Sequence, residues 1–342
     1  MKSCLARMVL RCDGSFELGL GHLARCSVLA RSLPGVESTF VVRADPVAED
    51  FLQGRGMDFR LLDRQVPEAE EASYLAQTAR GLGAGTVVLD KKDNPADYLE
   101  VLKQSGLRVV DIEDRGAGRR LADLLVDAHI WPGTAEAACE GPAFCGFGPD
   151  WILLDPLYAG LRQGRVKKQR LPGMTRVVVS CGGSDPAGLA GRVVEALAGR
   201  PEELRVTVVL GPAADRGSLS CGPHRLEVVR GAQSLAGILG AADLAIVSGG
   251  ITMCECMCLG LPTLFVPQHG EQAVNARHFA DRGGLLLAGT PDRPGFMARL
   301  EKLTGKLLTD TRTRRELSRT GSRLVDGLGV ERLKKALEKI SA

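Results

Sequence analysis

RCDGSFELGLGHLARC, the stretch from Arg11 to Cys26, joins a short apolar run to a helical pattern through a glycine-rich turn. The run before it, Met8 to Leu10, predicts a buried strand, and the apolar residues after the turn recur at helical spacing. Gly19 and Gly21 lack a β-carbon, so the backbone can turn sharply there and approach a ligand closely. The stretch therefore predicts a strand, a tight turn and a helix, the repeating unit of a parallel α/β sheet.

The same turn is where we most expect chemistry. His22 follows the second of these glycines and is predicted to lie at or near the first turn of the helix. Free backbone N–H groups and the positive end of the helix dipole favour anions at that point and disfavour a charged imidazole. A neutral histidine beside a phosphate is suited to act as a general base.

Length and charge restrict the class of protein. The chain has 342 residues, more than one compact core usually covers, so two domains are expected. The net charge is +3 and the basic residues are dispersed, which argues against a nucleic-acid partner. No run of about 18 apolar residues predicts a membrane span, and no apolar region near the N-terminus is typical of a signal peptide. We therefore expect a cytoplasmic protein without a membrane partner.

The ten cysteines fall on predicted strands and helices, and we expect most of them to be reduced. Cys254, Cys256 and Cys258 are closely spaced, but alternate residues on a helix point in different directions. No second cysteine or histidine pair completes a tetrahedral site. We therefore expect no metal and no cofactor.

Short apolar runs alternate with helical patterns in both halves of the chain. In the first half the predicted strands are Met8–Arg11, Ser38–Arg43, Thr86–Asp90, Leu107–Ile112 and Leu124–Asp127. In the second half they are Arg176–Ser180, Arg205–Gly211, Leu226–Arg230, Leu244–Ser248 and Thr263–Pro267. This alternation predicts two similar α/β domains with parallel sheets, facing each other across a cleft that holds the ligand.

Glycines, prolines and a basic run between the two halves are typical of a connecting segment. We expect an N-terminal domain over residues 1–155, a linker over 156–173, a C-terminal domain over 174–320 and a terminal helix over 321–342. The polar tail from residue 309 to residue 339 carries helical spacing and predicts one or two helices.

Acidic residues end two strands of the first half, namely Asp90 and the group Asp111, Glu113 and Asp114. Open α/β sheets place their ligands at the carboxyl ends of strands, so Asp90 is a candidate binding residue. Asp is also a favoured N-cap residue, and a capping role is the alternative.

Two glycine turns follow strands of the second half. The first contains Gly182, Gly183 and Ser184. Either Ser184 or Asp185 is expected to cap the next helix, and a purely structural turn is the alternative. The second turn opens a helix whose backbone amides are suited to cradle a pyrophosphate. Its candidate binding residues are Ser248, Gly249, Gly250 and Thr252.

Three polar residues extend this second set. Glu255, one helical turn after the second glycine turn, is placed to accept hydrogen bonds from ribose hydroxyls, or else to complement the helix dipole. Gln272 and Asn275 lie in a later polar loop and offer neutral donors and acceptors to sugar hydroxyls or phosphates.

Together the stretches RCDGSFELGLGHLARC, VVVSCGGSDP and SGGITMCECMCLGLP resemble a hydrolase family of pseudaminic acid biosynthesis. That family releases UDP from UDP-2,4-diacetamido-2,4,6-trideoxy-β-L-altropyranose. The chain also resembles the related spore-coat polysaccharide proteins described as glycosyltransferases. The resemblance runs from Arg11 to about Gly284. It implies a GT-B fold, a nucleotide-sugar substrate, no metal and a catalytic role for His22. It also implies that the second domain holds most of the nucleotide, through the positions that match Gly182, Gly183, Ser184, Gly249, Gly250, Thr252 and Glu255.

Two departures from that family lie on the sugar side. Where the family has an Asp-His-Tyr sequence, this chain has Asp90, Lys91 and Lys92. Where the family has a Glu-Asn-Gln loop, this chain has Gly270, Glu271 and Gln272. Nucleotide binding is still expected, whereas the identity of the sugar stays open.

The leading hypothesis is a nucleotide-sugar hydrolase in which His22 deprotonates the water that attacks the anomeric carbon. In this hypothesis Asp13 orients His22 or binds a sugar hydroxyl, and Arg25 on the same helix face reaches the pyrophosphate. A glycosyltransferase that uses a sugar hydroxyl instead of water is the alternative, and a non-catalytic nucleotide-sugar binding protein is a third. A dehydrogenase is not favoured, because Ala24 interrupts the GxGxxG pattern.

Overall fold

The structure is a computed structural model that describes residues 6–129, 139, 141–165, 174–183, 185, 187–211, 214 and 219–341. It divides the chain into two compact units. One consists of Met1–Leu153 together with Leu328–Ala342, and the other of Leu154–Gly327.

The first unit contains a seven-stranded sheet in the order β3-β2-β1-β4-β5-β6-β7. All of its neighbouring strands pair in parallel. The strands are β1 (Arg7–Cys12), β2 (Glu37–Arg43), β3 (Asp58–Leu62), β4 (Thr86–Asp90), β5 (Arg108–Ile112), β6 (Leu124–Asp127) and β7 (Phe144–Phe147). The helices between them are α1 (Gly21–Arg31), α2 (Pro46–Gln53), α3 (Glu68–Leu82) and α4 (Ala96–Gln104).

Both faces of this sheet are covered, which explains why its central strands are apolar throughout. Met8 and Leu10 of β1 pack in one hydrophobic cluster with Leu23 of α1. Val9, which points to the opposite face, packs in a second cluster with Leu75 of α3. Alternate residues of one strand thus serve two cores, as in doubly wound sheets.

The second unit repeats the pattern with a six-stranded sheet in the order β10-β9-β8-β11-β12-β13. Its strands are β8 (Thr175–Ser180), β9 (Leu204–Leu210), β10 (Arg225–Arg230), β11 (Leu244–Val247), β12 (Thr263–Phe265) and β13 (Leu286–Leu287), again paired in parallel. Its helices are α5 (Pro156–Arg165), α6 (Leu189–Ala198), α7 (Ala236–Ala241), α8 (Gly250–Cys258), α9 (Gly270–Asp281), α10 (Phe296–Thr309) and α11 (Thr311–Leu324).

The strand order reverses at one point in each sheet. The reversal lies between β1 and β4 in the first unit and between β8 and β11 in the second. Loops that follow such neighbouring strands diverge to opposite faces of the sheet and leave a crevice at the carboxyl ends, where open α/β sheets bind their ligands. Most of the candidate residues of the sequence lie at or after the ends of these four strands, whereas Gln272 and Asn275 follow β12.

The fold class predicted from the sequence is confirmed: the chain has a GT-B fold built of two Rossmann-like α/β domains. Two expectations about the connections need correction. The predicted linker begins instead with α5, which lies against α7 and α8 and buries the side chain of Tyr158. The terminal helix expected over residues 321–342 begins only at Gly329, as α12 (Gly329–Ser341). It packs on the first unit against β6, and Leu333 and Leu337 insert into the core that β6 shares with β1.

Among the described residues Cys139 and Cys145 form a disulfide, whereas most of the cysteines are reduced, as expected. Cys254, Cys256 and Cys258 are buried free thiols in α8. Within the part of the chain that the structure describes, no His, Cys, Asp and Glu side chains group in a way that would hold a metal ion. None of the helices it describes combines the length and the apolar character that a membrane crossing requires.

Candidate active site

The loop after β1 closes on itself before α1 begins. Ser15 and Gly19 form an isolated bridge, in which the N–H of Gly19 donates to the carbonyl of Ser15 at 2.9 Å. Gly19 has a φ of 80°, a conformation that glycine adopts without strain. Gly14 is needed for a different reason, because a β-carbon there would lie 2.4 Å from Leu23 Cδ1. Gly21 is the first residue of α1.

His22 lies in the first turn of α1, and its Nδ1 is 2.6 Å from Oδ1 of Asp90, the last residue of β4. The pairing of Cys12 with Asp90 across β1 and β4 brings the two together at the point where strand order reverses. The His22 side chain is 16% exposed, so solvent reaches part of the ring. A reactant can therefore meet the imidazole.

Asp90 is buried, and burial alone would raise the pKa of its carboxyl. The charge of Arg25, followed by that of His22, outweighs this effect and holds the pKa well below the usual range. The carboxylate is therefore an acceptor, and Nδ1 of His22 carries the proton that it accepts. This arrangement leaves the lone pair of Nε2 free to take a proton.

Arg25 does not play the part expected from the sequence. Its side chain is only 10% exposed, its Nε donates to Asp90 Oδ2 at 2.5 Å, and its Nη1 forms an ion pair with Glu113. Because the guanidinium is fixed between two carboxylates, Arg25 supports the His22–Asp90 pair rather than reaching toward a pyrophosphate.

Asp13 does not orient His22, which is one of the two roles predicted for it. Its two carboxylate oxygens accept hydrogen bonds from Arg11 at 2.6 and 2.8 Å, and one of them also accepts from the backbone N–H of Arg43. Asp90, and not Asp13, is the carboxylate on His22. The buried guanidinium of Arg11, which also contacts Glu71, draws Asp13 to the other side of β1.

The first glycine turn of the second unit lies between β8 and α6. Gly182 has a φ of 84°, and a β-carbon on Gly211 would lie 2.1 Å from the carbonyl oxygen of Gly183, so the two backbones meet closely. Asp185 accepts hydrogen bonds from the N–H groups of Leu189 and Ala190 at 2.8 and 2.9 Å. Asp185 therefore caps α6, which is one of the two alternatives predicted. Its carboxylate occupies two backbone N–H groups that a bound anion would otherwise contact. Ser184 lies outside the described residues.

The second glycine turn leaves its helix uncapped. α8 begins at Gly250, its N-cap is Gly249 with a φ of 94°, and neither its N-cap nor its first turn provides a capping side chain or an acidic residue. A β-carbon on either glycine would meet no atom of the described residues within 4 Å, so the backbone borders open space. Of the two glycine turns, this one offers the N–H groups and the dipole to an anion.

Side chains around this turn form a connected set. Ser248 is buried and donates to Oε1 of Gln272 at 3.5 Å, and the same oxygen accepts the N–H of Gln268 at 2.9 Å. Gln268 in turn donates to the carbonyl of Cys181 at 2.6 Å. The two glycine turns are thus joined through Gln268 and Gln272. Asn275 lies one turn further along α9 and is partly buried.

Thr252 and Glu255 lie three residues apart on α8 and therefore on one face. Glu255 shares a hydrogen bond with the phenol of Tyr158, a residue of α5 that is 2% exposed. Burial raises the pKa of Glu255 to about 7, although the hydrogen bond from Tyr158 lowers the pKa in part. Sequence reasoning missed Tyr158, because it falls in the segment predicted as a linker.

Similarity to known proteins agrees with this architecture. Residues 177–321 match the glycosyltransferase family 28 C-terminal domain. Over 338 residues the chain is 25% identical to the spore coat polysaccharide biosynthesis protein SpsG of Bacillus subtilis, an alignment that covers 96% of each chain. These matches do not confirm the hydrolase family that the motifs resemble.

Two solved structures share the fold along the whole chain. The crystal structure of Acinetobacter baumannii MurG has a TM-score of 0.70 at 16% identity and covers 97% of this chain and 99% of its own. The spinosyn forosaminyltransferase SpnP has a TM-score of 0.64 at 15% identity and covers 98% and 99%.

Proposed function

We propose that this GT-B, glycosyltransferase-like protein transfers a glycosyl group from a nucleotide sugar, a UDP-sugar, in the biosynthesis of a polysaccharide. The family 28 match, the similarity to SpsG and the fold of MurG and SpnP support a nucleotide-sugar enzyme. The observation that carries the proposal is the His22–Asp90 pair, with 2.6 Å between Nδ1 and the carboxylate.

In the proposed reaction His22 is the general base. Its Nε2 takes the proton from an acceptor hydroxyl while that oxygen forms a bond to the anomeric carbon. The bond from the anomeric carbon to the diphosphate breaks, and the electron pair leaves with the nucleoside diphosphate. The proton ends on His22, where the buried Asp90 carboxylate stabilises the imidazolium.

The second unit is proposed to hold the nucleotide. The uncapped start of α8 offers backbone N–H groups and a positive dipole to the diphosphate as its charge grows. Thr252, Glu255, Gln272 and Asn275 are proposed to contact the nucleotide or the sugar. No step of this scheme passes through a metal ion.

A hydrolase is the second candidate, and the resemblance of RCDGSFELGLGHLARC to the hydrolase family favours it. The same base would then deprotonate water in place of a sugar hydroxyl. The two reactions differ only in the group that attacks the anomeric carbon.

A panel of nucleotide sugars, each incubated with the full-length protein with and without glycan acceptors, distinguishes the two. Transfer predicts nucleotide release that depends on an acceptor, with a new glycoside detected by mass spectrometry. Release in the absence of any acceptor, with free sugar as the product, supports the hydrolase. Tight binding of a nucleotide sugar without release of nucleotide under either condition would contradict both.

A further inference from the structure

Glu113 has an unusual backbone conformation at the carboxyl edge of the first sheet. It follows β5 directly and has a φ of 57°, in the left-handed region that side-chain-bearing residues rarely adopt. Its N–H still donates to the carbonyl of Val126 at 2.8 Å, so the strand pairing with β6 holds it in place. Strained residues of this kind often occur at functional sites.

The Glu113 side chain lies between two basic groups. Oε2 forms an ion pair with Nη1 of Arg25, and Oε1 is 3.5 Å from Nδ1 of His129. The side chain is 18% exposed, whereas the Arg25 side chain is 10% exposed and that of Asp90 is fully buried. The guanidinium is therefore shared by two carboxylates in a site that excludes most water.

The charges around His22 do not cancel. Asp90 and Glu113 each carry one negative charge, and Arg25 carries one positive charge. Without Glu113, the positive charge of Arg25 would cancel the negative charge of Asp90 and leave the pair neutral. With Glu113 present, the group keeps one net negative charge beside the imidazole that becomes cationic in the proposed reaction.

We propose that Glu113 is a positioning residue for the transfer reaction, which holds Arg25 and supplies, through it, the negative charge that makes His22 an effective base. This inference rests on the proposed function, because it assigns a role at the same site. Glu113 does not contact the reacting atoms in this account and acts only through Arg25 and Asp90.

Every element around Glu113 contributes a charged group that the test must consider. Arg25 comes from α1, Asp90 from β4, and Asp127 and His129 from the end of β6 and the residues after it. Arg25 and Asp90 also face His22. Asp127 is 3.7 Å from the same Nδ1 of His129 that Glu113 contacts, but among the described residues it forms no ion pair with Arg25, so it provides a nearby carboxylate that does not hold the guanidinium.

The test compares kcat and KM over a range of pH for the full-length protein and three variants, with the nucleotide sugar selected by the panel. In Glu113→Gln we expect kcat to fall roughly tenfold and the acid limb of the pH–rate profile to move about half a pH unit lower, because the ring gives up its proton more readily. The KM for the donor and the affinity for UDP should stay unchanged.

Two further variants separate charge from backbone effects. Glu113→Gly removes the same charge but relieves the left-handed strain, so it should fold well and show the same fall in kcat and the same pH shift. Asp127→Asn removes a nearby carboxylate that, among the described residues, forms no ion pair with Arg25, so it should keep kcat within about twofold of the wild type and leave the pH–rate profile in place.

The inference is overturned if both Glu113 variants keep the wild-type kcat and pH profile while His22→Asn is inactive. It is also overturned if they raise only the KM, or if Asp127→Asn produces an equal pH shift. A fully active His22→Asn variant would instead contradict the proposed function. The failure of the Glu113 inference and the failure of the proposed function therefore give different results.

Discussion

At the scale of single residues, the state of one imidazole depends on one carboxylate. Asp90 stays ionised because Arg25 and His22 outweigh the effect of burial on its pKa. It accepts the Nδ1–H of His22, so that the basic nitrogen is Nε2. The choice of tautomer therefore depends on a residue 68 positions away in the chain.

Asp90→Asn should reduce kcat by about a hundredfold or more while leaving UDP affinity unchanged. Asparagine can donate to Nδ1 as well as accept from it, so the ring is free to adopt the other tautomer, in which Nε2 carries the proton. Steady-state kinetics measure the effect, and near-ultraviolet circular dichroism checks that the fold is kept. A variant with kcat within threefold of the wild type would contradict the role assigned to Asp90.

Glu255 should make nucleotide binding depend on pH. Its pKa is raised to about 7, and only the ionised carboxylate is a full acceptor for ribose hydroxyls. UDP affinity, measured by calorimetry, should therefore increase as the pH rises from about 6 to about 8. Glu255→Gln should flatten this dependence, and Glu195→Gln, which changes an exposed acid of α6, should keep it. An unchanged dependence in Glu255→Gln would refute the assignment.

The sequence identifies His22 as a residue of the turn after β1 and Asp90 as the last residue of β4, but it does not predict their pairing. Asp13 is nearer in sequence and has the same chemistry. Only the fold shows that Asp13 forms an ion pair with Arg11 and that Asp90 is the carboxylate that contacts His22. Local spacing finds candidate groups, whereas long-range contacts decide which of them meet.

At the scale of secondary-structure elements, the buried ends of strands carry the charged network. Arg11 at the end of β1 is fully buried and links Asp13 to Glu71 of α3, and Lys91, after β4, contacts Glu71 at 2.9 Å. Burial alone would raise the pKa of Glu71, but Arg11 and Lys91 lower it to about 2. The network thus fixes the base of the loop that leads to His22.

Arg11→Met should destabilise the protein by about 3 kcal/mol, because it leaves the buried charge of Glu71 and the partly buried charge of Asp13 without their main partner. Denaturant unfolding followed by circular dichroism measures the loss. Arg7→Met, at the exposed start of β1, is the matched control and should cost less than about 1 kcal/mol. Equal losses in the two variants would show that the buried network contributes no more than a surface ion pair.

The sequence analysis predicted ten of the strands, the edge strand β10 among them, but it missed β3, β7 and β13. The valine-rich runs of β4 and β8 are almost entirely buried, and continuous apolar runs are the strongest signal for such strands. β3, β7 and β13 lie toward the sheet edges, and they are polar or very short. Their pairing comes from the neighbouring strand more than from their own composition.

At the scale of the whole molecule, the chain builds its two units in a discontinuous order. It completes most of the first unit, then the whole second unit, and returns at residue 328 to add α12 to the first. The apolar residues Val330, Leu333 and Leu337 recur at helical spacing and are 0–2% exposed. The C-terminal helix is therefore part of the core beside β1.

Leu333→Ala should destabilise the first unit by about 3 kcal/mol, through loss of buried apolar contacts and the cavity that remains. Leu328→Ala, at an exposed position just before α12, should cost less than about 0.5 kcal/mol. Amide hydrogen exchange shows which unit loses stability. We expect the variant to speed up exchange more in β1 and α1 than in β8. Faster exchange confined to the second unit would contradict the placement of α12.

The central claim is that His22, held by Asp90, is the base in a reaction that breaks the bond between a sugar and a nucleoside diphosphate. The most direct measurement compares nucleotide release from the preferred nucleotide sugar by the wild type and by His22→Asn, with UDP binding measured on both. We predict that the variant loses at least about a hundredfold in kcat and binds UDP as the wild type does. A variant that binds UDP and keeps more than about a third of the wild-type kcat would contradict the account.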